Sequence, residues 1–141
     1  MKWIIASDHA GYELKQKLLE HFPELKFEDL GPNSTESVNY TDYAHQLATM
    51  IEQGEANRGV LICGSGVGVS MTANRHTGVR AALCWQTEIA RLCRQHNDAN
   101  VLCLPARFIS IEQAIEMLNV FVNEPFEGGR HQTRVSSIEC C

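Results

Sequence analysis

The segment Gly59–Cys63 constrains the fold most, because it is a short, continuous apolar run that ends in a glycine-rich turn. Such a run is typical of a central strand in a parallel sheet, which is buried on both faces. Similar runs recur along the chain and alternate with helical periodicity, as in βαβ units. The sequence therefore predicts an α/β fold: a three-layer, doubly wound, mostly parallel five-stranded sheet with helices on both faces.

Apolar runs, helical periodicity and chain breakers place the individual elements. The predicted strands are 3–7, 25–30, 59–63, 79–84 and 100–104. The predicted helices are 11–21, 41–53, 69 to just before 78, 88–96, 111–123 and 131–138. This order is Rossmann-like, and no linker, repeat or low-complexity segment interrupts it. We expect residues 1–141 to form a single domain with a frayed tail at 138–141.

Charge and hydropathy exclude several classes of partner. The formal net charge is −5, so no basic field exists to attract nucleic acid or an acidic membrane surface. No apolar stretch approaches the roughly 20 residues needed to cross a bilayer. The apolar run within Met1–Asp8 is too short for a signal peptide and is followed directly by a charged residue. We expect a cytoplasmic protein with neither a nucleic-acid nor a membrane partner.

The six cysteines show no C-x-x-C pair and no zinc-finger spacing with histidines. In the cytosol they would be reduced. Three of them, Cys84, Cys93 and Cys103, lie among apolar residues and are expected to pack in the core. Cys140 and Cys141 end the chain, and no role is expected for them.

A glycine-rich loop follows the central predicted strand, with the sequence Cys63-Gly64-Ser65-Gly66-Val67-Gly68. Alternating glycines let successive backbone N–H groups turn inward and bind an anion, assisted by the helix N-terminus that follows. Such a loop suits a phosphate or an oxyanion that develops during a reaction. Val69 stands where a dinucleotide fingerprint needs glycine and where a C-x5-R thiol phosphatase needs arginine. No lysine follows as in a P-loop.

Several polar residues accompany this loop. N–H groups around a thiol favour its thiolate, so Cys63 is a candidate general base. The pair Asp8-His9 follows the first strand, where ligands bind in this architecture. The run Arg94-Gln95-His96-Asn97-Asp98 closes a helix. If the last segment is helical, Arg130 and Arg134 lie one turn apart and suit a phosphate, although a solvated basic face has the same spacing.

Taken together, these segments resemble the ribose-5-phosphate isomerase B family, which includes allose-6-phosphate and galactose-6-phosphate isomerases. Five matching segments run in family order over nearly the whole chain. They are Ser7-Asp8-His9-Ala10-Gly11, Asn39-Tyr40-Thr41-Asp42-Tyr43-Ala44, Cys63–Gly68, Arg94–Val101 and Glu127–Gln132. One such segment alone would be weak, whereas five in register are specific.

The resemblance implies a reaction and a set of roles. The enzyme would interconvert ribose 5-phosphate and ribulose 5-phosphate through a cis-enediolate, with Cys63 as the base and His96 as the ring-opening acid. Ser65, which stands where many members carry threonine, would belong to the catalytic group. The backbone of Gly64, Gly66, Val67 and Gly68 would stabilise the oxyanion. Sugar hydroxyls would be held by Asp8, Tyr40 and Asn97, and the phosphate by His9, Arg107, Arg130 and Arg134. No metal or cofactor is implied.

The resemblance also implies a homodimer, or a tetramer of dimers, with the site at a subunit interface. His96 and part of the arginine set would then reach across that interface. Two departures from the family pattern bear on substrate choice. The segment Asn39-Tyr40-Thr41 replaces Asp-Tyr-Pro, and Leu104-Pro105-Ala106-Arg107 replaces a commonly glycine-containing stretch.

Two alternatives stay open from the sequence. The substrate could be a six-carbon sugar phosphate, allose 6-phosphate or galactose 6-phosphate, because pocket depth depends on side-chain placement. The chain could also be a non-catalytic sugar-phosphate sensor, although a sensor could dispense with Cys63 and His96.

Overall fold

The computed structural model describes residues 1–139 and contains one sheet of five parallel strands. The strands are β1 (Trp3–Ser7), β2 (Glu28–Asp29), β3 (Arg58–Cys63), β4 (Ala81–Leu83) and β5 (Val101–Pro105), in the spatial order β2-β1-β3-β5-β4. The helices are α1 (Tyr12–His21), α2 (Tyr40–Glu52), α3 (Val67–Ala73), α4 (Thr87–Asn97), α5 (Ile111–Asn123) and α6 (Arg130–Ser136). The predicted α/β architecture is confirmed, with every strand pair parallel.

The core consists of two apolar layers, one on each face of the sheet. Alternate residues of β3 point to opposite faces, so Val60 and Ile62 join the cluster under α1, α4 and α5, whereas Leu61 and Cys63 join the cluster under α2 and α3. Both layers are fully buried around β3 and β5. A strand buried on both faces needs a continuous apolar sequence, which is why the segment 59–63 was such a clear strand signal.

Three of the predicted elements differ from those observed. The segment 25–30 forms a strand only at Glu28–Asp29, because a short 3-10 turn at Pro23–Leu25 comes first and both strand residues are exposed at the sheet edge. The predicted strand 79–84 is confined to Ala81–Leu83. Helix α3 begins at Val67, two residues before the predicted start, because Gly66 already serves as its N-cap. Helix α3 also ends at Ala73, about four residues before the predicted end, whereas the remaining boundaries agree with prediction within one or two residues.

Lys15 ties the first helix to the edge of the sheet. Its side chain is fully buried, and Nζ donates to Asp29 Oδ1 at 2.6 Å and to the Pro32 carbonyl at 2.7 Å. A buried ammonium group is stable only when its donors are paired in this way. The contact fixes the chain that leads from β2 towards the start of α2.

Two further expectations concern the cysteines and the membrane. Cys84, Cys93 and Cys103 are buried among core residues, as predicted. The expectation for Cys140 and Cys141 lies outside the described residues. No helix within residues 1–139 combines the length and the apolar character needed to cross a membrane.

Candidate active site

A cavity of about 490 Å³ opens at the carboxyl ends of the strands, which is where ligands bind in open α/β sheets. Its volume falls in the range usual for small-molecule sites. Eight of the predicted site residues line it: Asp8, Tyr40, Cys63, Gly64, Ser65, Val67, Gly68 and Arg107. Met71 and Phe108 complete the lining and were not singled out from the sequence.

Cys63 is the last residue of β3 and is 5% exposed. The backbone N–H of Gly66 donates to its sulfur at 3.1 Å, and the Cys63 carbonyl accepts from Ala106 N–H at 2.9 Å. The first contact holds the thiol from the glycine-rich loop, and the second holds the Cys63 backbone from the residue that follows β5. The sulfur is therefore fixed in direction at the wall of the cavity.

The glycine-rich loop needs glycine at two positions for physical reasons. Gly66 has a φ of +73°, and a Cβ there would lie 2.5 Å from Leu83 Cδ1 and 3.2 Å from the Leu104 carbonyl carbon. At Gly68, a Cβ would lie 2.6 Å from the ring of Tyr40, so the absence of a side chain lets Tyr40 approach α3. The loop thus fits tightly between β4, β5 and the start of α2.

Ser65 and Arg107 occupy opposite sides of the loop. Ser65 is exposed, and its Oγ accepts from Val67 N–H at 3.3 Å. The Arg107 N–H donates to the Gly64 carbonyl at 3.0 Å, and a Cβ on Gly64 would lie 3.1 Å from Arg107 Nη1. The guanidinium therefore lies directly beside Gly64, where it gives the cavity a positive charge.

Asp8 and His9 follow β1, but they are held differently. Asp8 is 8% exposed, lines the cavity, and accepts from Gly11 N–H through Oδ1 at 3.1 Å. His9 Nδ1 accepts from Val38 N–H at 3.2 Å, which leaves Nε2 as the protonated nitrogen of the neutral ring. His9 is absent from the cavity lining among the described residues. Asp8 therefore caps the short turn after β1 and also lines the cavity.

Most of the other predicted site residues lie towards the amino ends of the strands. His96 and Asn97 end α4, directly before β5. Val101 at the start of β5 pairs with Gly59, whereas Pro105 at its end pairs with Cys63. These two ends of the strands are four residues apart, which corresponds to about 13 Å at the rise per residue of a parallel strand. Within one chain, His96 and Cys63 therefore lie towards opposite ends of the strands.

His96 belongs to a cluster with Glu127 and His131 that the sequence did not reveal. The two imidazole rings are stacked with centroids 4.3 Å apart and planes 13° from parallel. Glu127 Oε1 lies 3.8 Å from His96 Nε2 and 3.5 Å from His131 Nε2. Burial, the nearby His96 and Arg130 lower the pKa of His131. No helical spacing could have linked the three residues, because Glu127 precedes α6 and His96 lies in α4.

The arginines of the last helix are on the same side of the molecule as His96. Arg130 and Arg134 are both exposed on α6, one turn apart, as the sequence predicted for a helical segment. Helix α6 packs on α4. Asn97 lines a separate cavity of about 340 Å³ together with Arg80 and Ile138. The predicted residues thus fall into two half-sites at opposite edges of the sheet.

The chain is similar in sequence and fold to known sugar-phosphate isomerases. A family model described as Ribose/Galactose Isomerase matches residues 3–138. A probable ribose-5-phosphate isomerase B of Mycoplasma pneumoniae is 46% identical over 95% of this chain and 90% of its own length. The crystal structure of a ribose 5-phosphate isomerase from Thermotoga maritima is similar with a TM-score of 0.95 and 46% identity, covering 99% of this chain and 98% of that one.

A third similar protein carries a ligand. Ribose-5-phosphate isomerase B from Mycoplasma genitalium, solved with bound ribulose 5-phosphate, has a TM-score of 0.92 and 42% identity. The match covers 97% of this chain and 93% of that one. Family model, sequence identity and fold agree over essentially the whole chain. The chain therefore belongs to the ribose/galactose isomerase family.

Proposed function

We propose that this chain is an aldose–ketose isomerase that interconverts ribose 5-phosphate and ribulose 5-phosphate. The observation that carries the proposal is that Cys63 lines a substrate-sized cavity in a chain 46% identical to a ribose-5-phosphate isomerase B. The aldose–ketose class rests on family membership. The pentose substrate rests on the names of several relatives and on the ribulose 5-phosphate bound by the Mycoplasma genitalium protein.

In the proposed mechanism, Cys63 removes the proton from C2 of the open-chain aldose and the electron pair moves to form a cis-enediolate. Cys63 then returns that proton to C1 while the hydroxyl proton of O2 passes to O1, which leaves a carbonyl at C2 and gives the ketose. The oxygen that gains negative charge would be stabilised by N–H groups of the loop Gly64–Gly68. Preorganised backbone donors of this kind are an effective way to stabilise a developing oxyanion.

Substrate contacts follow from the positions of the polar groups. Asp8 and Tyr40 line the cavity and would hold the sugar hydroxyls, with Asn97 contributing from the other half-site. Ser65 also lines the cavity and would take part in catalysis beside Cys63. Arg107, which lies beside Gly64, would bind the phosphate together with His9. Neither metal nor cofactor takes part, because proton transfer needs only a base, an acid and oxyanion donors.

A second copy of the chain completes the site in this proposal. His96 would open the furanose ring by giving a proton to the ring oxygen, and Arg130 and Arg134 would add to the phosphate site. The two groups of predicted residues are separated by about 13 Å along the strands, which supports a contribution of His96 from a partner subunit.

Large apolar side chains are exposed at the cavity rim: Tyr40 at 39%, Val67 at 39%, Met71 at 67% and Phe108 at 75%. An apolar rim of this kind fits a subunit interface. The proposal is a homodimer, or a tetramer of dimers.

We also propose a cytoplasmic location. The cysteines within the described residues are free thiols, including Cys84 and Cys93, whose sulfur atoms lie only 3.9 Å apart. Free thiols at such a distance are consistent with a reducing compartment.

The test is isomerisation of ribose 5-phosphate and allose 6-phosphate by the wild type, Cys63→Ala and the matched control Cys103→Ala. Cys103 is a fully buried cysteine on the neighbouring strand. We expect wild type and control to turn over ribose 5-phosphate, and Cys63→Ala to lose at least about 100-fold in kcat while still binding the sugar. Turnover of allose 6-phosphate alone would move the substrate to six carbons. Binding of both sugars without turnover would favour a sensor.

A further inference from the structure

A cluster outside the cavity joins α2 to the turn after α3. It consists of His45 in α2, Glu52 at the end of α2, and His76. His45 Nδ1 lies 2.7 Å from His76 Nε2, and His76 Nδ1 lies 3.0 Å from Glu52 Oε2. The other carboxylate oxygen of Glu52 accepts from Thr77 N–H at 3.0 Å. None of these residues lines the cavity that contains Cys63.

The carboxylate determines which nitrogen of His76 is free. An ionised carboxylate only accepts hydrogen bonds, so His76 carries its proton on Nδ1 and presents the lone pair of Nε2 to His45. The N–H of Thr77 holds the second oxygen of Glu52, which fixes the orientation of the carboxylate towards His76. A carboxylate that holds one imidazole nitrogen while the other faces outward is the usual arrangement behind a metal-bound histidine.

We propose that His45 and His76 form a binding site for a divalent late transition-metal ion such as Zn²⁺ or Ni²⁺, with Glu52 holding His76 in the ligating orientation. The ion takes the place of the proton between His45 Nδ1 and His76 Nε2. That proton moves through solvent to Nε2 of His45. Water fills the remaining coordination positions.

The ring geometry fits two ligands of one ion. The imidazole centroids are 5.0 Å apart and the planes are inclined by 58°. Two imidazoles bound to a tetrahedral ion at a metal–nitrogen distance of about 2.0–2.1 Å have centroids roughly 5.2 Å apart and nitrogens roughly 3.3 Å apart. The two nitrogens must therefore separate by only about 0.6 Å relative to their hydrogen-bonded distance. His45 is exposed and can supply that movement.

Another histidine group in the chain fits an ion less well. Ligand atoms of His96, Glu127 and His131 lie within 4.8 Å of one another. Their imidazole rings are stacked at 4.3 Å and only 13° from parallel. Lone pairs in parallel planes run side by side and do not converge on one point. The His45–His76 pair is therefore the better cation site, even though it offers only two direct ligands.

The test is a calorimetric titration with Ni²⁺, which prefers imidazole ligands. The proteins are the wild type, His45→Gln, His76→Gln, Glu52→Gln and the control His21→Gln, which changes an exposed histidine on α1. We expect His45→Gln and His76→Gln to bind one Ni²⁺ fewer than the wild type and the control. Glu52→Gln keeps the stoichiometry, with affinity reduced about 10–100-fold.

Counting the difference between proteins separates this site from any Ni²⁺ bound at His96 or at a thiol. Because His45 is exposed, His45→Gln is expected to fold normally, which circular dichroism checks. Ni²⁺ should also raise the melting temperature of the wild type more than that of His45→Gln. The proposal is overturned if His45→Gln binds as many Ni²⁺ ions as the wild type with the same affinity.

Discussion

The backbone N–H of Gly66 points at the sulfur of Cys63 from 3.1 Å, and Gly66 adopts a positive φ to do so. Gly66 therefore both holds the thiol and serves as the N-cap of α3. The same residue has no room for a side chain, because Leu83 and the end of β5 close around it. The position of the thiol thus depends on a backbone conformation and a packing contact together.

This relationship predicts that Gly66→Ala destabilises the fold more than an ordinary glycine replacement. The matched control is Gly54→Ala, whose φ of +75° is nearly the same but whose surroundings are open within 4 Å. The left-handed conformation costs a non-glycine residue roughly 1–2 kcal/mol at either position. The collision at Gly66 adds about 1–3 kcal/mol. Urea unfolding of both variants measures the difference, and equal losses would contradict the packing argument.

Lys15 predicts a second stability effect. Lys15→Met replaces the ammonium group with an apolar side chain of similar size. The Pro32 carbonyl then loses the donor Nζ, and Asp29 Oδ1 retains only the N–H of Gly31 of its two described donors. We expect a loss of about 1–3 kcal/mol in the free energy of unfolding, because Asp29 retains partial contact with water. Lys17→Met, at an exposed position on the same helix, should change it by less than about 0.5 kcal/mol. Similar effects of the two changes would show that the buried ammonium is unimportant.

The two half-sites predict complementation between inactive variants. If Cys63 of one subunit works with His96 of another, a mixed dimer of Cys63→Ala and His96→Asn contains one intact site and one doubly altered site. Random exchange of subunits makes about half of the dimers mixed, which restores about a quarter of wild-type activity. The measurement is isomerisation before and after the two proteins are unfolded together and refolded. Activity that stays at the level of the separate variants would argue for a site within one chain.

His131 predicts a pH dependence of stability. Its pKa is lowered in the folded protein by burial, His96 and Arg130, and returns to about 6.5 on unfolding. As the pH falls through 6.5, the unfolded chain takes up the proton first, so stability decreases until the pH is below the folded pKa.

We therefore expect the urea midpoint to fall less for His131→Asn than for the wild type between pH 7.5 and pH 5.5. His21→Asn, which changes an exposed histidine, should follow the wild type. The lowered pKa of Glu52 acts only below its ordinary value of 4.5 and so lies outside this range. A parallel fall for all three proteins would remove His131 as the cause.

The sequence predicted which residues line the cavity around Cys63, for a local reason. Cys63 to Gly68 are contiguous, so their spacing alone places the thiol beside a turn of backbone N–H groups at a strand end. Asp8 could be placed nearby because parallel strands end at the same edge. The cluster of His96, Glu127 and His131 escaped prediction, because α6 must fold back on α4 before the two rings can stack.

Local signals determined the order of elements, the central strand and the glycine loop, since apolar periodicity and glycine spacing are properties of neighbouring residues. Tertiary structure alone decided that Lys15 is buried, that β2 is reduced to two residues, and that His45 meets His76. It also decided that Cys63 and His96 lie at opposite ends of the strands. Helix α4 runs back across the sheet and ends beside the start of β5, whereas Cys63 lies beside the end of β5.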